Sequence, residues 1–188
     1  MVIEAIVLGL IIGKLRSGNI SSLEHIKFKG TKALLALFIF DLLLRFFIVK
    51  TNNNLASILF SYYPFFNLLV YFLVIIILEI NKNLKYLRIV QGGFVLNFLP
   101  MLLNNGKMPV LKEALEKINK FDQIEILLKD SVLTHSLIND TTRFKALADI
   151  FPLNFFIPKV ISLGDVFIAL GLALFISHYM TGGRSFAK

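Results

Sequence analysis

Long apolar runs separated by short polar breaks extend over most of the chain. Three of these runs, at 31–49, 56–80 and 157–180, have the length of a membrane-spanning helix, which needs about 17–25 mostly apolar residues. Because the apolar residues are clumped into runs of this length, the pattern is typical of an integral membrane protein. It predicts three transmembrane helices at these positions.

Two further runs are less regular but fit the same interpretation. Residues 84–103 keep the length of a span, since Lys85 and Arg88 lie at its start. Residues 2–13 are short and are read either as a cleaved signal peptide or as a short first span. A signal peptide begins with positive charge, whereas this run begins Met-Val-Ile-Glu and is followed by Lys14. We therefore predict five transmembrane helices in all.

The basic residues in the breaks predict the orientation of these helices. The breaks at 14–30 and 81–88 are rich in Lys and Arg, and the C-terminal tail carries Arg184 and Lys188, whereas the break at 50–55 holds a single lysine. Short loops rich in Lys and Arg stay in the cytoplasm. We expect a multi-pass protein of the bacterial plasma membrane with its N-terminus outside and its C-terminus in the cytoplasm.

This orientation places the long segment 104–156 outside the cell. Apolar residues recur every three or four positions between 110 and 130, which predicts an amphipathic helix, and we expect a second short helix within 131–148. The predicted fold class is all-α. It is a polytopic membrane helix bundle in a single domain over 1–188, with about five transmembrane helices and an extracytoplasmic amphipathic helical segment.

Composition supports this class and excludes several others. The chain is 56% hydrophobic and 17% charged, whereas soluble domains are about 45–50% apolar and about 25% charged. The net charge of +8 lies mostly in the breaks, where topology explains it, so we expect no nucleic-acid partner. The absence of cysteine excludes disulfides and thiol catalysis. We expect no cofactor, and the three histidines are too dispersed along the predicted topology to hold a metal.

Ionisable residues inside a predicted span need an explanation, because each costs about 2.5–3.5 kcal/mol at the centre of a bilayer. Asp41 and Arg45 lie four positions apart in the second predicted span and therefore share one helical face. They form either a self-neutralising pair that keeps the helix insertable or a charge relay that contacts a substrate. We favour the self-neutralising pair.

Asp149 and Asp165 are the strongest candidates for catalysis. Both fall near the outer membrane face in the predicted topology, on either side of an apolar turn. Two carboxylates in a site of low dielectric constant raise each other's proton affinity, so that one activates water while the other donates a proton. The alternative is that both are simple residues at helix N-termini, where the helix dipole favours aspartate.

Three motifs connect the chain to a known family. They are Asn104-Asn105-Gly106-Lys107-Met108-Pro109, then Asp140-Thr141-Thr142-Arg143 with Leu147-Ala148-Asp149-Ile150-Phe151-Pro152, and Ser162-Leu163-Gly164-Asp165-Val166. Together they resemble a family of small integral membrane proteins from clostridia and related Firmicutes that is labelled as a domain of unknown function. The resemblance extends over the whole chain, and it implies a location in the plasma membrane but no activity.

A shorter similarity is to lipoprotein signal peptidase, a membrane aspartic peptidase. Ala148-Asp149-Ile150 is similar to the step that holds its first catalytic aspartate, and Leu163-Gly164-Asp165 to the motif that holds its second. The chain departs from that family in having five predicted spans rather than four, and Ser162 where the family has Asn. The resemblance implies an intramembrane aspartic peptidase acting at the outer leaflet.

Two functions thus remain open, and a third is weaker. The chain is either an accessory or ligand-binding membrane component with an outward-facing polar site, or the peptidase. The weaker hypothesis is an ion-coupled carrier that uses Glu4 and the Asp41–Arg45 pair. We expect the bilayer as a partner, together with a lipid, a membrane peptide or a partner subunit as ligand. The predicted binding residues lie in the outer segment: Asn105, Lys107, His135 and Arg143.

Overall fold

The structure is a computed structural model that describes residues 1–51, 53–155 and 157–182. Most of this part of the chain is helical, as predicted. The α-helices are α1 (Val2–Leu15), α2 (Thr31–Lys50), α3 (Asn54–Ile80), α4 (Leu87–Leu103), α5 (Lys112–Lys117), α6 (Phe121–Leu128) and α7 (Leu163–Met180). The short strands are β1 (Met108–Val110), β2 (His135–Leu137), β3 (Phe151–Leu153) and β4 (Lys159–Ile161), and the 310 helices are Ile20–His25 and Lys145–Leu147. Arg184 and Lys188 of the predicted orientation lie outside the described residues.

The five longest helices follow the five predicted runs. Their boundaries agree within a few residues, except that α7 begins six residues later than predicted because β4 occupies part of the run. By length and composition, two helices in the described part of the chain, α3 and α7, are able to cross a membrane. Helix α4 is apolar but has 17 residues. Five spans therefore stay a prediction.

The chain divides into two compact units. The first contains Met1–Lys29, Ile75–Val95 and the chain from Gly164 onward, and the second contains Gly30–Val74 and Leu96–Leu163. Helices α3 and α4 contribute residues to both units. That the whole chain forms one membrane domain stays a prediction.

In the first unit, α7 packs against α1 and α4 at glycine residues. A Cβ atom added at Gly93 of α4 would lie 2.5 Å from the carbonyl oxygen of Gly164, and one added at Gly9 of α1 would lie 2.9 Å from that of Ala173. Small residues permit this close approach of helix backbones, which is typical of membrane proteins. Gly93 therefore lies at a close contact between α4 and α7.

Polar side chains near the helix ends of this unit bond to the backbone and to one another. The buried amide of Asn81 accepts a hydrogen bond from the Lys29 N–H at 2.7 Å and donates one to the Lys29 carbonyl at 2.7 Å. Glu79 of α3 accepts hydrogen bonds from Arg88 at 2.6 Å and from Gln91 at 3.0 Å, which connect it to α4. The carboxylate near the end of α3 therefore has a basic partner.

Between residues 104 and 161, the second unit contains a small group of short helices and short strands, which we call the lobe. Strands β1 and β2 pair in parallel, and β3 and β4 form an antiparallel pair. The expected helix within 131–148 is wrong, because β2 and a 310 turn occupy that segment. The strands had no signal in the sequence, since each has only three residues and too few positions to show an alternating pattern.

The amphipathic helix predicted between 110 and 130 is present but interrupted. Asn119 has a φ of +56°, and the Lys120 N–H donates a hydrogen bond to the Leu115 carbonyl at 3.0 Å. This hydrogen bond caps a helix C-terminus when the residue before the donor is left-handed, which asparagine tolerates better than most residues. The segment therefore forms two short helices, α5 and α6, that pack against each other.

Strand β1 lies at the centre of the lobe. On one edge it pairs with β2, where Met108 lies opposite His135. On the other edge, the Asp149 N–H donates to the Pro109 carbonyl at 3.0 Å, and the Leu111 N–H donates to the Asp149 carbonyl at 2.9 Å. One strand thus joins two segments that are distant from it and from each other in the sequence.

Apolar side chains from the surrounding elements form the core beside β1. Val110, Leu115 and Ile124 are buried together, and each fully buried side chain of this kind contributes about 1.5–3 kcal/mol. Next to the lobe, the buried Ser162 hydroxyl donates to the Asn97 side-chain oxygen at 2.6 Å, which ties the end of β4 to α4. The lobe is therefore held by its own core and by a buried hydrogen bond.

The glycine contacts predict different outcomes for two neighbouring substitutions. Gly93→Ala forces a methyl group against the Gly164 backbone, and overpacking of this kind costs about 1–3 kcal/mol. We expect a lower midpoint of thermal unfolding, measured by far-ultraviolet circular dichroism of the purified protein.

Gly92→Ala is the matched control. No described atom lies within 4 Å of a Cβ added at Gly92, and alanine favours the helix by up to about 1 kcal/mol. Its unfolding midpoint should equal or exceed that of the unchanged protein. Equal midpoints for the two variants would contradict the close packing of α4 and α7.

Candidate functional site

Asp149 is a buried acidic residue of the lobe. It is 7% exposed, and both its N–H and its carbonyl bond to the chain at β1. Its Oδ2 lies 3.5 Å from Nε2 of His135. Because the backbone on both sides of β1 is fixed by hydrogen bonds, the carboxylate and the imidazole are held opposite each other.

His135 connects this carboxylate to the surface of the lobe. It begins β2, and its side chain is 41% exposed. Its Nδ1 lies 2.7 Å from the hydroxyl oxygen of Thr134. A hydroxyl, an imidazole and a carboxylate therefore follow one another, and the tautomer of a neutral imidazole decides which of its two ring nitrogens donates and which accepts.

The carboxylate and the imidazole line an open cleft of about 350 Å³ in the lobe. Lys159 of β4 and Gln123 of α6 add polar groups to its wall. The remaining wall is mostly apolar, with contributions from Val110, Leu115, Ile126, Leu127, Val132 and Val160. A cleft with a few convergent polar groups on an apolar wall is the usual form of a small-molecule site.

The chemistry of this cleft follows from its burial. A carboxylate with little contact to water interacts more strongly with a ligand than one in bulk solvent. Asp149 brings a hydrogen-bond acceptor to the wall of the cleft, and His135 and Lys159, whose side chains carry N–H groups, line the same space. A ligand with an apolar body and one hydrogen-bonding group would therefore fit both the apolar and the polar parts of the cleft wall. Among the described residues, no group of three His, Asp or Glu side chains is arranged to hold a metal ion.

The second candidate catalytic residue, Asp165, belongs to a different unit from Asp149. It is in the first turn of α7 and half-buried, in the first unit, whereas Asp149 belongs to the second. A position in the first turn is favourable for an aspartate because of the helix dipole. The pairing of the two carboxylates that a peptidase requires stays a prediction.

The predicted binding residues occupy several places in the second unit. Asn105 is exposed with a φ of +55° at the end of α4, and the Arg143 backbone N–H donates to Asn104 Oδ1 at 3.0 Å. Lys107 forms an ion pair of 2.6 Å with Asp130. Asn105 and Lys107 line one cavity, and His135 lines the other.

Asp41 and Arg45, which were predicted to pair, form an ion pair that has a third member. Arg45 Nε lies 2.9 Å from Asp41 Oδ2, and the Tyr63 hydroxyl donates to Asp41 Oδ1. The Arg45 guanidinium also lies 5.2 Å from the centre of the Tyr63 ring. This supports the self-neutralising pair, because each charged group has its partner within the unit. The carrier hypothesis, which also used Glu4, stays a prediction.

Sequence reasoning missed Lys159 and Tyr63. Lys159 falls inside the predicted span 157–180, and a lone lysine there was the signal that the span begins later. Tyr63 lies 22 positions after Asp41, on a different helix, and one sequence offers no means of pairing residues at that distance. Both omissions concern partners brought together only by the tertiary fold.

The Asp41 cluster predicts the effect of removing one hydroxyl group. Tyr63 is buried, and a hydrogen bond to a charged group contributes about 1.5–3 kcal/mol. Tyr63→Phe should therefore lower the free energy of unfolding by about this amount, measured by thermal or denaturant unfolding of the purified protein.

The adjacent tyrosine provides the control. Tyr62 is 64% exposed, so Tyr62→Phe should change the unfolding free energy by less than about 0.5 kcal/mol. If Tyr63→Phe is as mild as Tyr62→Phe, the hydroxyl does not contribute to the cluster.

Comparison with known proteins agrees with the sequence motifs at the level of the family. Residues 25–177 match the Family of unknown function (DUF5317). No curated protein and no solved structure matches the chain. The matched range includes the whole lobe and most of α7. The chain therefore belongs to the DUF5317 family, a family of unknown function.

Proposed function

We propose that this chain is a multi-pass plasma-membrane protein whose lobe lies outside the cell and binds a small ligand in the cleft of His135 and Asp149. The ligand has an apolar body and one hydrogen-bonding group. The observation that carries this proposal is the buried Asp149 carboxylate at the wall of an open, mostly apolar cleft.

Exposed apolar side chains support the membrane location. Ile3 and Leu15 of α1 and Phe38 and Phe46 of α2 are each more than half exposed. Soluble monomers rarely expose contiguous apolar patches larger than a few hundred Å². Helices with such faces are stable in a bilayer, where the apolar side chains contact lipid instead of water.

Paired charges on the helices support the same location. Asp41 has Arg45 and Tyr63 as partners, and Glu79 has Arg88 and Gln91. Ionisable groups in membrane proteins usually face the protein interior and pair with one another. The five-span orientation follows from the lysines and arginines in the breaks and places the lobe outside.

The shape and chemistry of the cleft support ligand binding rather than a structural role for Asp149. A buried carboxylate needs a partner to offset its desolvation, and His135 supplies one at 3.5 Å while remaining partly exposed. Lys159 adds a donor in the same cleft. A purely structural ion pair would not require an open space of about 350 Å³ beside it.

Single-cysteine variants test the proposed topology directly, because the chain contains no cysteine of its own. Ser131→Cys places a thiol on the exposed surface of the lobe, and Ser21→Cys places one in the first basic break. A membrane-impermeant maleimide should label Ser131→Cys in intact cells and Ser21→Cys only after permeabilisation.

The labelling pattern has two informative failures. If only Ser21→Cys is labelled in intact cells, the orientation in the membrane is the opposite of the proposed one. Recovery of both variants in the soluble fraction after lysis would contradict the membrane location. The unchanged, cysteine-free chain is the background control in each case.

A bulky substitution in the wall of the cleft of His135 and Asp149 should abolish ligand binding there. The probe is p-cresol, which has an apolar ring and one hydroxyl donor for Asp149. Val132→Trp places a large side chain in the cleft wall, and it should lower the saturation-transfer signal of p-cresol at least about tenfold for protein in nanodiscs, since a blocked cleft retains no specific contact.

Ser131→Trp is the matched control, because Ser131 is exposed and is not part of the cleft wall. It should bind p-cresol as the unchanged protein does, after subtraction of the signal from empty nanodiscs. An equal signal from Val132→Trp and Ser131→Trp would show that the probe binds elsewhere.

A further inference from the structure

A second cavity of the second unit is distinct from the cleft of His135 and Asp149. It has a volume of about 630 Å³ and lies between α3 and the residues that follow α4. Its polar wall includes Asn105, Lys107 and Asn139, and its apolar wall includes Phe60 and Phe65. We call it the amide pocket.

Lys107 supplies the positive charge of the amide pocket. Its side chain is 14% exposed, and Nζ lies 2.6 Å from Oδ1 of Asp130, whose side chain is 78% exposed. An ammonium group has three hydrogen-bond donors, and within the described residues Asp130 is the acceptor of one of them. Because Asp130 is mostly in solvent, an anionic ligand can replace it at the buried amine.

Asn139 supplies amide donors in a fixed orientation. Its Oδ1 accepts hydrogen bonds from the Thr141 N–H at 3.0 Å, the Thr141 hydroxyl at 2.8 Å and the Thr142 hydroxyl at 3.1 Å. These bonds hold the oxygen side of the amide within the turn. In the part of the chain that the structure describes, no acceptor pairs with the Asn139 Nδ2, so that its two N–H donors remain for a ligand.

Asn105 adds a further amide at the same wall. Its backbone is held in the left-handed conformation, and the Gly106 N–H donates to the Met101 carbonyl at 2.8 Å, which caps α4. The Asn105 side chain has no hydrogen-bond partner among the described residues. The cap therefore fixes the position of an amide whose own donors and acceptor are not used by the fold.

The opposite wall of the amide pocket is apolar and continues onto exposed helix surfaces. Phe65 of α3 is 59% exposed, and Leu103 of α4 is 38% exposed. Both helices are spans in the proposed topology. A ligand in the amide pocket therefore meets donors on one side and lipid-facing side chains on the other.

We propose that the amide pocket binds the headgroup of a phosphate-bearing lipid of the outer leaflet. An ammonium and several amide N–H groups suit phosphate and hydroxyl oxygens, and Phe65 with Leu103 suits the first part of an acyl chain. The proposal rests on the membrane location proposed above. It is independent of the cleft that contains His135 and Asp149.

The test compares full-length protein in two kinds of nanodisc. One contains phosphatidylcholine alone, and the other contains three parts of phosphatidylcholine to one part of phosphatidylglycerol. A third sample adds millimolar inorganic phosphate to the phosphatidylcholine nanodiscs. We expect phosphatidylglycerol to raise the midpoint of thermal unfolding, because a ligand that binds the native state stabilises it, and phosphate to leave the midpoint unchanged.

Variants locate the effect. Lys107→Gln removes one charge-assisted hydrogen bond and should lower the fraction of protein with bound phosphatidylglycerol about tenfold in native mass spectrometry. Lys129→Gln is the matched control, because Lys129 is an exposed lysine that pairs with Glu125 outside the amide pocket. Asn139→Ala tests the pocket without changing its charge and should also lower the bound fraction, which keeps the test valid if Lys107→Gln does not fold.

Four results would overturn the proposal. If inorganic phosphate raises the midpoint of thermal unfolding as much as phosphatidylglycerol does, the ligand is a soluble anion. Equal lipid binding by Lys107→Gln, Asn139→Ala and Lys129→Gln would show only a non-specific surface charge effect. If the chain does not enter nanodiscs at all, the membrane location itself fails; if it enters them and phosphatidylglycerol has no effect, the headgroup site alone fails.

Discussion

Strand β1 accepts hydrogen-bonding partners on both of its edges, and the arrangement of the lobe depends on this constraint. On one side Met108 and Val110 pair with β2, and on the other side Asp149 bonds to the backbone around Pro109. Buried backbone groups must be paired, so the two segments are held by necessity rather than by the chemistry of their side chains. The consequence is that His135 and Asp149 face each other across the strand, at the wall of a cleft.

The long helices depend on close backbone contacts and on paired charges. Gly93 and Gly9 allow backbones to approach where a side chain would collide. The charge of Asp41 is neutralised by Arg45, and Tyr63 donates a hydrogen bond to the same carboxylate within the same unit. Close packing through small residues and internal pairing of charge are typical of helices surrounded by lipid, which is the location proposed for this chain.

The sequence was a good guide to the long helices and a poor one to the lobe. Apolar runs located α1 to α4 and α7, because a run of about 20 apolar residues is a local property. The interruption at Asn119 depends on one left-handed residue in an otherwise periodic segment, which periodicity cannot detect. Asp149 was predicted as an acidic residue in an apolar context, and the structure buries it. Its contact with His135 could not be chosen over a pairing with Asp165, because that choice depends on the pairing of β1 with segments more than twenty residues away.

Amide hydrogen exchange across β1 tests the central claim most directly. The N–H groups of Met108, Leu111, Ile138 and Asp149 all bond within the three-segment arrangement. They should exchange slowly and with similar protection, because β1 and its two neighbours are expected to open as one cooperative unit. The N–H of the exposed Asp140 provides the fast reference. If Asp149 exchanges as fast as Asp140 while Met108 stays protected, β1 does not hold Asp149, and the site that faces His135 is not formed.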